Sequence, residues 1–178
     1  MDIQIRPENP QDYNHIYNLV KEAFKSAPHA DGDEQDLVNR LRKSSNYLPQ
    51  LSLVAEVDNQ IVGYIMYTEL SIQNDNQSFT SLALAPLAVA PGYQNTGIGS
   101  KLITESLQIA KGLGYHSAIV LGSETYYPKF GFKEASTFHI EAPFEVPSQN
   151  FMAIELIEKG LEYVSGKVIY AKEFFEQN

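Results

Sequence analysis

The chain has no cysteine among its 178 residues, which excludes disulfides, thiolate metal ligands and a cysteine nucleophile. No apolar run approaches the ~20 residues that a membrane-spanning helix needs. No basic leader with an apolar stretch and small residues opens the chain, so a cytoplasmic location is expected. Positive charge is scarce: 13 Lys and Arg stand against 22 Asp and Glu, a net charge of −9. That balance argues against nucleic acid or an anionic membrane as the main partner. There is no internal repeat, low-complexity tract or linker. What remains is an ordinary folded composition, 43% hydrophobic and 20% charged, of a length that suits one domain with a sizeable core.

Residues 2–6 alternate polar and apolar, predicting a first strand, and Asp12 is placed to cap the helix after it. Tyr13, Ile16, Tyr17, Val20 and Phe24 recur at three- and four-residue spacing and predict a helix over 13–24. A second helix is expected over 33–44, with Leu37 and Leu41 on one face. Residues 50–57 and 61–72 read as strands joined by a tight turn at Asp58 and Asn59, with Gly63 marking a bulge or a close backbone approach. A buried strand over 81–89, a helix over 97–113 and a strand over 117–121 follow. A helical turn at 125–129 and strands over 132–140, 151–156 and 168–171 complete a mixed α/β order.

The stretch from Leu84 to Ile103 carries the strongest chemical signal. An apolar strand turns through Ala90, Pro91, Gly92 and Tyr93 into a segment with two glycines, Gly97 and Gly99, which opens a helix. Unpaired backbone N–H groups, the helix dipole and glycine's small size make such a turn a place for a phosphate. The dinucleotide and P-loop fingerprints are both unmet, and a tight strand-to-helix connection is the competing reading. The four histidines show no ligand-like spacing, so no metal site is expected.

Residues 87–103, with the run Gln94-Asn-Thr-Gly-Ile-Gly-Ser100, resemble the acetyl-CoA loop of the GNAT superfamily of N-acetyltransferases. Downstream, Tyr127-Pro-Lys-Phe-Gly-Phe132 resembles that family's Tyr-x-x-x-Gly-Phe segment. Together with Glu124, Phe151 and Met152, it is similar to a bacterial subgroup of N-acetyltransferases of undefined substrate. The resemblance implies one domain over 1–178, with 141–178 an extension packed on it. It also implies a mostly antiparallel twisted sheet that splays into a V after its central strand, flanked by helices.

By the same resemblance, Leu87, Ala88 and Val89 belong to the strand end that pairs with the cofactor's pantetheine arm. Gln94, Asn95, Thr96, Gly97, Ile98, Gly99 and Ser100 would cradle its pyrophosphate, mainly through backbone amides, because Gln94 stands where the family has Arg or Gln. Tyr127 matches the family's proposed general acid, which protonates the departing thiolate; its alternative is a ring packed in the core. Tyr126 is expected to be structural or substrate-lining. Glu69 is a candidate base, or else an exposed strand carboxylate; Glu124 is a further candidate or a helix cap. His29 and Asp31 lie in a loop expected to border the acceptor.

The implied activity is transfer of an acetyl group from acetyl-CoA, with no metal, to a primary amine of a small molecule or peptide by direct attack in a ternary complex. The alternative is a non-catalytic CoA-binding module of the same fold. Either a monomer or a homodimer is compatible with the aromatic residues after Ile140.

Overall fold

The computed structural model of the chain describes residues 1–27 and 30–176, so the expectation placed on His29 lies outside the described residues. In chain order the elements are β1 (Gln4–Pro7), α1 (Tyr13–Phe24), α2 (Glu34–Arg42), β2 (Tyr47–Val57), β3 (Gln60–Gln73), β4 (Ser78–Val89) and α3 (Ile98–Gly112). They continue with β5 (Ser117–Leu121), β6 (Lys133–Glu134), β7 (Ile140–Glu141), β8 (Phe151–Glu155) and β9 (Gly166–Ile169). One sheet runs β1-β2-β3-β4-β5-β8-β6, with β9 beside β3 and β7 beside β9. The β4–β5 and β7–β9 pairs are parallel and the other pairs antiparallel. Among the described residues no helix is long and apolar enough to cross a membrane.

The central strand decides the architecture. β4 pairs with β5 only at Ala83↔Ile119 and Leu84↔Val120, although it runs five residues further. Its register against β3 slips between Tyr67↔Leu84 and Ile65↔Leu87, so Met66 faces the two residues Ala85 and Pro86. This is a bulge, and Pro86 brings no N–H to a ladder there. The extra residue exchanges the faces of the strand. Leu82 and Leu84 pack in the α3-side core, and beyond the slip Leu87 and Val89 do, while Ala83 and Ala88 pack on the opposite face. Beyond Leu84 the parallel pairing ends and the sheet splays, as expected.

Helix α3 lies on one face, burying Ile98, Leu102 and Ile103 against Leu53, Ala55, Ile65 and Leu84. Gly63 makes that contact possible: a Cβ there would stand 2.8 Å from Ile98 Cγ2 and 3.0 Å from Leu102 Cδ1. The other face is covered by α1 and α2, where Ile16, Val20, Val38 and Leu41 meet Val54, Tyr64 and Met66. There a carboxylate with no exposed surface, Glu8, pairs with Arg42 at 2.9 Å. Glu8 also accepts from Tyr47 at 2.6 Å and Tyr64 at 3.0 Å.

Two expectations are corrected. Residues 132–140 do not form one strand: β6 ends at Glu134 and a 3-10 turn takes Ala135–Phe138. The Ser136 and Thr137 hydroxyls donate back to Glu134, a local alternative to a sheet ladder, and His139 then adopts a left-handed φ of 60°. After residue 140 the chain continues the sheet, with β8 between β5 and β6 and β9 beside β3. Asp12 does not cap α1; its carboxylate faces back to the Asn9 amide and the Arg6 guanidinium.

Because α3 approaches the sheet over Gly63, Gly63→Val is expected to destabilise the protein by about 1–3 kcal/mol through overpacking. Urea denaturation followed by circular dichroism measures it.

Candidate active site

At the open end of the V the backbone of β4 has an unpaired edge. Ala90 N–H donates to the Val62 carbonyl at 2.8 Å, so by strand alternation the N–H and C=O groups of Ala88 also point at β3. Those of Leu87 and Val89 point the other way, into the gap left by β5. The Val89 carbonyl is met there by the Gln94 side-chain amide at 3.3 Å.

After β4, a 3-10 turn at Pro91–Tyr93 leads into the loop. Asn95 and Gly97 both have positive φ, 62° and 90°, which turn the chain into α3. Gly97 is the N-cap, and no side chain caps the helix. The first backbone bond of α3 runs from Lys101 N–H to the Gly97 carbonyl at 3.0 Å. The N–H groups of Ile98, Gly99 and Ser100 therefore project from the helix start without helical partners, where the dipole favours an anion.

This loop lines a cavity of about 520 Å³ formed by Leu87, Val89, Tyr93, Gln94, Asn95, Gly97, Ile98, Gly99, Ser100, Tyr126 and Lys129. Eight of the ten residues assigned to the cofactor loop thus share one cavity. Ala88 is the first exception, buried at 2% exposure with its backbone turned to β3. Thr96 is the second, its hydroxyl donating to the Tyr93 carbonyl.

Two lining residues, Tyr93 and Lys129, were given no role from the sequence, and a third, Tyr126, was expected to be structural or substrate-lining. Gly99 is required partly by one of them, since a Cβ there would come 2.7 Å from the Tyr126 hydroxyl. Burial raises the pKa of the Tyr126 phenol and the Ser100 side chain opposes the rise. Lys129 Nζ stands 4.4 Å from the Tyr126 ring centroid.

Tyr127 opens the next 3-10 turn, Tyr127–Phe130. The Ser123 carbonyl accepts the N–H groups of both Tyr126 and Tyr127 at 3.2 Å. The Tyr127 ring packs edge-on against Tyr126 at 5.3 Å and Phe132 at 5.7 Å. It also lies flush on Gly122, just past β5, where a Cβ would fall 2.4 Å from its ring. Its phenol is close enough to Tyr67, the partner of Leu84 at the vertex of the V, for a charge on one to raise the pKa of the other. Burial pushes the Tyr127 pKa well up, with the neighbouring Tyr126 adding to the rise. The group therefore holds its proton throughout the neutral range.

Glu69 does not line this cavity. It pairs with Leu82, roughly 15–20 Å along β4 from Leu87 and Val89, and accepts a hydrogen bond from the Tyr115 hydroxyl. With Ser78, Thr80, Tyr115 and His116 it borders a separate cavity of about 570 Å³ beside the end of α3. Its strand neighbours the central one, and it lies outside the loop cavity, two residues along β3 from Tyr67. Glu124 follows β5 at the open end, where its carboxylate accepts from Asn150 Nδ2 at 2.7 Å. Asp31 lies with Asp33 and Glu34 at the start of α2, and Glu34 accepts the Asp31 and Gly32 amides.

With this geometry in place, the likeness to known proteins is direct. The sequence pattern of the acetyltransferase (GNAT) family matches residues 13–132, well over half of the chain. The chain belongs to the GNAT family. It is 36% identical to the uncharacterized N-acetyltransferase YjhQ of Escherichia coli over 118 residues, 66% of this chain and 65% of that protein. It is 29% identical to the uncharacterized N-acetyltransferase YhbS of E. coli over 96% of this chain and 97% of that one. The crystal structure of E. coli YhbS in complex with CoA superposes with a TM-score of 0.87, covering 99% of this chain and 93% of that one. A GNAT family acetyltransferase from Brucella melitensis, in complex with acetyl-CoA, is 31% identical with a TM-score of 0.79, covering 97% and 98%.

Gly97 is needed for its φ and Gly92 is not, since a Cβ at Gly92 would meet open space at an ordinary φ. Gly97→Ala is therefore expected to cost about 1–2 kcal/mol, with Gly92→Ala close to neutral. Paired urea titrations of the two variants measure the difference.

Proposed function

We propose that the chain is an acetyl-CoA-dependent N-acetyltransferase that acetylates a primary amine of a small molecule or peptide by direct attack in a ternary complex. The observation that carries this reading is the coincidence, at one end of the sheet, of an unpaired β4 edge, an uncapped helix start and a protonated tyrosine. The residues fit the cofactor on the structure's own terms. Leu87 and Val89 offer backbone donors and acceptors to an amide-bearing arm, as a neighbouring strand would. Ile98, Gly99 and Ser100 offer N–H groups to a pyrophosphate. Acetyl-CoA, when bound, supplies an activated acyl thioester.

The chain's own part is to position and to move protons. Leu87 and Val89 would hold the cofactor's amide-bearing arm beside β4, and the loop would anchor its phosphate end. Tyr127 keeps a proton on its phenol and delivers it to the sulfur that leaves. A raised pKa suits that role, because a phenol ionised at neutral pH has nothing to donate. The folded-state pKa lies above the ordinary phenol value of about 10, so the donor form is retained at least to that pH. Glu124, held by Asn150 after β5, and Glu69, two residues along β3 from Tyr67, are the acidic candidates to accept the amine's proton, directly or through water.

Acetyl-CoA at about 100-fold over its Kd is expected to raise Tm by roughly 5 °C or more; ATP is expected to give no shift. No shift with either CoA or acetyl-CoA overturns the reading. Tyr127→Phe is expected to leave the acetyl-CoA Kd unchanged and to lower kcat by about 10²-fold, read as thiol release across an amine panel. Wild-type turnover in that variant assigns Tyr127 to packing. CoA binding by the wild type without thiol release on any amine favours the binding module.

A further inference from the structure

We infer that Lys129, seated on the face of Tyr126, is the cationic clamp for the cofactor's pyrophosphate; this rests on the acetyl-CoA reading above. In a chain of net charge −9, the loop cavity is lined by one charged side chain, and it is this lysine. Gln94, at the loop position where the family has Arg or Gln, is neutral, and its amide is turned onto the Val89 carbonyl at 3.3 Å. The cavity's positive charge thus comes from the opposite wall, from the turn after β5.

Two features fit Lys129 to the task. Among the described residues it has no carboxylate within ion-pair distance, so no acidic neighbour neutralises it. Its ammonium also has a seat, 4.4 Å from the Tyr126 centroid, and that ring reaches over the first turn of α3, its hydroxyl against Gly99. A cation on an aromatic face loses less freedom when an anion arrives than one on a free stem. The helix start faces a diphosphate with backbone N–H groups, and Lys129 faces it with a full charge. Together they supply what a loop arginine supplies in one residue.

The test is calorimetric binding of CoA and of 3′-dephospho-CoA to wild type, Lys129→Met, Lys129→Arg and Tyr126→Leu, with circular dichroism to verify folding. Lys129→Met keeps the apolar stem of an exposed side chain and is expected to weaken CoA at least about tenfold. The same factor is expected for 3′-dephospho-CoA, whose pyrophosphate is intact. Lys129→Arg is expected to restore most of the affinity, and Tyr126→Leu to lose less than Lys129→Met. The wild-type affinity should fall more steeply with salt than that of Lys129→Met.

Unchanged CoA affinity in Lys129→Met overturns the inference. So does a loss seen with CoA but absent with 3′-dephospho-CoA, which assigns the lysine to the 3′-phosphate instead. A wild type that binds neither compound overturns the acetyl-CoA reading itself, a distinguishable failure.

Discussion

The break in the ladder at Ala85 and Pro86 is the constraint on which the rest of the molecule depends. A strand that stayed in register could carry its pairing on to the end of β5 at Leu121. The bulge ends that pairing after Leu84↔Val120 and exchanges the faces of β4, so Leu87 and Val89 continue the apolar surface that α3 needs. One inserted residue thus opens the gap and preserves the core beside it. The cost is a set of backbone groups at Leu87 and Val89 with no strand partner, of which the Val89 carbonyl accepts from the Gln94 side chain. Such groups are tolerable where solvent or a ligand reaches them and costly in a sealed interior.

An opened sheet needs bracing from behind, and the opposite face supplies it. Tyr64 pairs with Ala88 in the register of β3 against β4, so it backs the unpaired part of the central strand. Its hydroxyl reaches the Glu8 carboxylate, which also holds Arg42 from α2 and Tyr47 from β2. Arg42 in turn lies 3.8 Å over the ring of Tyr13 in α1. A buried charge pair is weak evidence of net stability, because desolvation offsets much of its attraction. Its geometric effect is clearer: with its acceptors filled, Glu8 fixes the mutual positions of α1, α2, β2 and β3 behind the gap.

Much of this could be read from the sequence, and the failures have physical causes. The helix over 13–24 was legible because Ile16 and Val20 recur at helical spacing, and the glycine loop because Gly97 stands where a left-handed residue precedes a helix. The bulge left a trace as well. Leu82 and Leu84 alternate, then Leu87 and Val89 alternate after a three-residue step, a break in period that reads as a plain apolar run unless faces are counted. Strand adjacency alone did not say which cavity Glu69 borders; in an antiparallel pair the far end of β3 lies beside the start of β4, which puts Glu69 on the cavity beside the end of α3. Lys129 left no local signal, and Tyr126 was legible only as structural or substrate-lining, not as a wall of the phosphate loop. Only the packing of the turn after β5 against the first turn of α3 brings them to the loop, across more than twenty-five residues of chain.

That turn also explains how two adjacent tyrosines take up different surroundings. The Ser123 carbonyl holds both of their amides, and Gly131 closes the turn with a φ of 105° that side-chain-bearing residues rarely adopt. From this anchored base the Tyr126 ring goes to the helix start, and the Tyr127 ring goes to Gly122 and the vertex near Tyr67. The rings touch edge-on, so neither moves without the other. Displacement of about 1 Å at a reacting centre can cost two orders of magnitude in rate. A turn joining the phosphate end of the cavity to the vertex by two interlocked rings therefore resists such displacement through its own packing. On the proposed reading, a substitution that dislodges Tyr126 would affect proton delivery from Tyr127 as well as the phosphate loop.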